Sequence, residues 1–130
     1  MATGRAPYLA RQSTPNGEFF TGSFAPNGTS DPSTTTIGGV GFSVVYTSTG
    51  KWTVTLKGVV VSNPPPFESA VIRHNASPTN SWDIDILAGY DTTTSPGDTI
   101  FVIAYRENAT LANPTAHANT RVSFCIQVQP

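Results

Sequence analysis

At 130 residues the chain has the length of one domain, long enough to bury about two thirds of the surface its unfolded form exposes. Charged residues make up 12% of it and the net charge at pH 7 is −1, which excludes a general nucleic-acid binder, because such a protein needs a basic stripe to displace counterions from phosphates. The single cysteine, Cys125, excludes an intramolecular disulfide. With charge at about half the usual quarter of residues, the surface must be mostly uncharged Thr, Ser, Asn and Gln. Few charges then have to lose water when it meets another protein, so the chain reads as assembly-prone.

The chain opens on "MATGRAPYLARQ", which has no apolar h-region for a signal peptidase, and no run of 18 apolar residues occurs anywhere. The expectation is a protein without a membrane partner that stays in the cell where it is made or leaves by lysis. "RQSTPNG" and "FAPNGTSDPSTTTIGG" are rich in turn-formers, interrupted by "EFFTGSF", which reads as a short edge strand. Residues 1–38 are therefore expected to form an extended N-terminal docking arm, and residues 39–130 the β-sandwich domain. Ordering a backbone costs about 1–2 kcal/mol per residue, so such an arm gains order by lying on a partner. Arg5 and Arg11 precede the first acid, Glu18, so the arm is locally basic and suits an acidic protein surface. Arg5 and Arg11 are expected to donate charge-assisted hydrogen bonds there, with Tyr8, Leu9, Phe19 and Phe20 filling shallow apolar pockets. Gly38, Gly39 and Gly41 read as a hinge between arm and body.

"GVGFSVVYTSTGKWTVTLKGVVVS" alternates apolar and polar residues on both sides of a glycine. A loop at Ser48, Thr49 and Gly50 sets Tyr46 opposite Trp52, Val44 opposite Val54 and Phe42 opposite Leu56, all apolar pairs. Gly50 takes the left-handed position that such a loop requires. "ESAVIRHN" (68–75) and "SWDIDILAGY" (81–90) follow, with Trp82, Ile84 and Ile86 inward and Asp83 and Asp85 outward. "DTIFVIAYRE" (98–107) is apolar on both faces, as a central, doubly covered strand is. "RVSFCIQVQ" (121–129) sets Val122, Phe124, Ile126 and Val128 on one face and leaves Cys125 as a small residue on the other. No segment has a helical period, and short strands separated by Pro, Gly and Asn predict an all-β protein: an antiparallel β-sandwich of jelly-roll type.

Chemistry-bearing residues are sparse. His74, His117 and Cys125 are too few for a zinc site of recognised spacing. Asp83 and Asp85 with Asp91 or Asp98 carry the oxygen ligands calcium prefers, yet read better as the solvated side of an amphipathic strand. No G-x-S-x-G elbow, Walker or dinucleotide pattern occurs. The expectation is no enzyme, no metal and no cofactor. The sequons at Asn27, Asn75 and Asn108 read as loop composition, and Trp52 and Trp82 as core rather than a sugar platform.

The order of a G-x-G-F-x-V strand, a "TGKWTVTL" hairpin return, a "SAVIRH" strand and a closing "NPTAHANTRVSFCIQV" resembles small structural proteins encoded by tailed bacteriophages. Many of these contain a "TGTGxYTVTF"-like hairpin and end with "A-x-N-x-R-V" before a final apolar strand. The resemblance covers roughly residues 39–129. It implies a virion protein on the capsid exterior, assembled in the host cytoplasm: a capsid decoration (cement) protein that docks on the major capsid protein and forms a homotrimer with itself. The alternative it leaves open is a receptor- or carbohydrate-binding module of a head or tail fibre, using "NPPPF" and "TLANPTAHAN".

Overall fold

The computed structural model describes residues 11–14, 17–62, 65–73, 81–87, 89–114 and 120–128, the backbone alone for 11–14 and 17. Its strands are β1 (Arg11–Thr14), β2 (Gly17–Phe24), β3 (Phe42–Ser48), β4 (Lys51–Leu56), β5 (Glu68–Arg73), β6 (Trp82–Ile86), β7 (Thr99–Glu107), β8 (Thr110–Leu111) and β9 (Arg121–Val128), with one 3-10 turn at Thr34–Thr36. They build two antiparallel sheets, β1-β2-β9-β5 and β3-β4-β7-β6, with β8 paired to β7. The two inner faces meet to form the core, as in a β-sandwich.

The β3–β4 hairpin has the expected register: Phe42 faces Leu56, Val44 faces Val54 and Tyr46 faces Trp52. Its end is tighter than a plain three-residue loop, because Ser48 pairs with Lys51 and the register shifts between Tyr46 and Ser48. Gly50 has φ +73°, and a Cβ there would lie 2.6 Å from the Tyr105 carbonyl oxygen. Glycine is required twice over, by handedness and by contact. Asn113 locks the turn from outside: its Oδ1 accepts from the Gly50 N–H at 2.8 Å and its Nδ2 donates to the Tyr46 hydroxyl at 3.2 Å.

β7 is central in its sheet, between β4 and β6. Thr99, Phe101, Ile103 and Tyr105 are buried on its inner face, while Ile100 and Val102 are only half-buried on the other. Cover on that outer face is partial: Ala104, at 0% exposure, is fully buried there, while Ile100 and Val102 are not. On β9, Val122, Phe124, Ile126 and Val128 are all buried, as the alternation requires. On β6, Asp83 and Asp85 are exposed and Ile86 is buried.

The largest correction concerns "EFFTGSF". β2 is not an edge strand; it pairs with β1 on one side and along seven register positions with β9 on the other. Phe20 and Phe24, at 2% and 0% exposure, belong to the core. Phe24 packs on Trp52 with ring centroids 5.6 Å apart, and Phe20 lies edge-on to Phe42 at 6.0 Å. Gly22 lies between them for a steric reason, since a Cβ would come within 2.6 Å of the Phe42 ring and 2.7 Å of the Phe124 ring. The sandwich therefore begins before residue 38, because three alternate positions, Phe20, Gly22 and Phe24, suffice to fit a strand to the core although its neighbours in sequence are turn-formers.

The glycines read as a hinge are held at both ends. Gly38 and Ser23 exchange two backbone hydrogen bonds, at 2.8 and 3.1 Å, and the Lys57 N–H donates to the Gly41 carbonyl at 2.8 Å.

Candidate functional site on the outer face of the four-stranded sheet

Alternation along β2, β9 and β5 turns Val122, Phe124 and Ile126 inward and sends their neighbours out. The register assembles the outward residues into rows: Phe19 beside Gln127, Thr21–Cys125–Ser69, Ser23–Ser123–Val71, and Arg121 beside Arg73. Small uncharged side chains fill the middle of this face. They line a shallow cavity of about 330 Å³, walled on one side by Gly38 and Gly39.

The two ends differ. At one end Phe19 packs edge-on against Phe67 at 6.1 Å; Phe67 is 47% exposed, while Val71, 50% exposed, stands in the row next to the arginines. At the other, the Arg121 Nη2 donates to the Ser23 hydroxyl at 2.9 Å and to the Thr36 carbonyl at 2.8 Å. Gly38 makes that anchorage possible: a Cβ there would lie 2.4 Å from the Ser23 Oγ and 3.0 Å from the Arg121 Nη2. Burial pushes the Cys125 thiol up in pKa, which keeps it protonated and a poor nucleophile.

Of the six residues expected to dock a partner, Arg5, Tyr8 and Leu9 lie outside the described residues, as do His74 and His117. Arg11 begins β1, paired with Phe20 in the backbone ladder. Phe19 is half-buried on the outer face, where it remains available to a partner. Phe20 is corrected from docking residue to core residue, because it shares its face of β2 with Phe24. The structure thus separates two adjacent phenylalanines that composition alone treats alike. Sequence reasoning missed Arg73, Arg121 and Ser23 altogether and read Gly38 only as part of a hinge. Ser23 and Arg121 are 98 residues apart, and the only available signal was the outward phase of "RVSFCIQV".

Elsewhere the carboxylates are engaged locally. Asp91 accepts from the backbone N–H groups of Thr93 and Thr94 at 2.8 and 3.1 Å and from both hydroxyls. These bonds hold its carboxyl well below the usual range, with the Thr94 hydroxyl the leading cause. Asp85 pairs with Arg106 at 3.2 Å and Asp98 with Lys57 at 3.9 Å. The Tyr90 hydroxyl donates to Glu68, and burial followed by that carboxylate raises the tyrosine above its ordinary pKa. Among the described residues no three of His, Cys, Asp and Glu group as metal ligands, and no helix is long and apolar enough to cross a membrane. Comparison of the chain with protein families, with curated proteins and with solved structures finds no match.

Proposed function

We propose that this chain is a virion structural protein, a capsid decoration protein of a tailed bacteriophage that docks on the major capsid protein and stabilises the shell. The observation that carries the reading is the outer face of the four-stranded sheet. It is a broad field of Thr, Ser and Cys side chains, bordered by exposed Phe67 and Val71 and free of acidic residues. Such a face loses little hydration energy when another protein covers it, and its aromatic border supplies apolar anchors. The 12% charge of the whole chain points the same way.

In this reading the sandwich is a jelly-roll variant, whose character rests on the pairing of β2 near the start of the chain with β9 near its end. The arm contracts to the segment before β1, with Arg5, Tyr8 and Leu9 as its contacts. The assembly is a homotrimer on the capsid exterior, and the protein is not an enzyme. The resemblance supplies the capsid, the trimer and the arm.

The test is addition of the purified protein to capsids that lack it. Saturable decoration is expected, and deletion of residues 2–10, which leaves β1 in place, should cut occupancy at least tenfold, a loss of only about 1.4 kcal/mol. Capsids left bare by the full chain would overturn the reading.

A further inference from the structure

Arg73 and Arg121 are register partners on β5 and β9, and both are exposed. Residues directly opposite in an antiparallel pair have Cβ atoms about 4.5–5.5 Å apart, and like charges there repel. Among the described residues nothing neutralises the pair. All eight acidic side chains are among the described residues, and none forms an ion pair with either arginine. The guanidinium of Arg106, on β7, is by contrast matched by Asp85. Arg121 is also held in place, with Nη2 spent on Ser23 and Thr36. A guanidinium has five N–H donors, so its Nε and Nη1 donors remain for a ligand.

We propose that Arg73 and Arg121 form a carboxylate-binding site for an extended acidic segment of a protein partner, one that lies across the outer face with its other side chains over the cavity. The proposal rests on the decoration reading for the identity of that partner, the shell protein, and not for the site itself. Charge decides for an anionic occupant: a repelling cation pair without an internal counter-ion is relieved when a carboxylate bridges it, and guanidinium–carboxylate forks give both strength and direction. The surroundings decide for a peptide over a nucleic acid. Two arginines beside Ser23, Ser123 and the 330 Å³ cavity match one or two carboxylates with neighbouring backbone, whereas a nucleic acid needs a longer run of cations. The Ser69 and Ser123 hydroxyls on the cavity rim are suited to that backbone.

The experiment titrates the full chain with a fluorescent octapeptide of alternating Asp and Ser, and with its Asn counterpart, at low and physiological salt. The acidic peptide should bind, the Asn peptide at least tenfold more weakly, and salt should weaken only the former. Arg73→Glu is the deciding variant, because it places an acid opposite Arg121: the melting temperature should rise while acidic-peptide binding is lost. A lower melting temperature would remove the repulsion on which the proposal stands, and retained binding would overturn the site directly. Inorganic phosphate competing as well as the peptide would also overturn it, by showing a bare anion site. On capsids, Arg73→Glu should lose at least tenfold in occupancy. If the wild-type chain captures the peptide but no capsid, the decoration reading falls and the site stands; if the variant decorates capsids normally yet loses the peptide, the site is not the capsid contact and the proposed partner falls.

Discussion

The β3–β4 hairpin and β2 make equal claims on the core but look unlike in sequence. The hairpin announces itself with six apolar residues at alternate positions on either side of a glycine, and its pairs match them one for one. β2 has Phe20 and Phe24 flanking a glycine, inside a stretch of Thr, Ser, Asn and Pro, yet both rings are as deeply buried as Trp52 and Leu56. Composition reports the average of a segment, whereas burial depends on the few positions of one parity. A strand with the middle strand of a sheet as neighbour needs little intrinsic preference of its own, since β9 supplies its hydrogen bonds and the opposite sheet its apolar cover.

Truncation at either place separates that account from one in which the first forty residues are a detachable tail. Phe24→Ala and Trp52→Ala should each cost about 3–5 kcal/mol, as large-to-small changes at fully buried positions do. Urea unfolding of the two variants should give similar losses, and a loss below 1 kcal/mol for Phe24→Ala alone would return β2 to the arm. Gly22→Val sharpens the point without removing an aromatic ring. The new side chain must displace the Phe42 and Phe124 rings, for about 1–3 kcal/mol, while Thr21→Ser on the opposite face of the strand should change the midpoint little.

Gly50→Ala tests the hairpin in turn. The left-handed φ and the Tyr105 carbonyl at 2.6 Å predict a loss of more than about 1 kcal/mol, readable as a lower melting temperature; an unchanged one would mean that the Asn113 clamp tolerates another turn. The smallest effect concerns Asp91, which lies outside both regions. The folded state holds its carboxyl below the usual value through Thr94 and Thr93. Its contribution is therefore present above the unfolded pKa of about 3.9 and fades as the pH falls through the lower folded value. Asp91→Asn should flatten the acid limb of a stability–pH curve, and an unaltered limb would show that the bonds to the two threonines add nothing.

Alternation and turn chemistry carried the all-β class, the hairpin register, the inward faces of β6 and β9 and the handedness of Gly50, because each depends on residues within a few positions of one another. The order of strands in the sheets does not. It joins β2 to β9 across about a hundred residues and β5 to β9 across about fifty, where period-2 patterning says which face is buried but not which strand is next. The outer face followed from that order alone. Ser23 meets Arg121, Gly38 makes room for them, and Arg73 stands opposite Arg121 only once β5 and β9 are paired. The polar residues of a strand are alike in sequence whether they face water, a cavity or another charge, and it is the pairing of strands distant in the chain that decides among them.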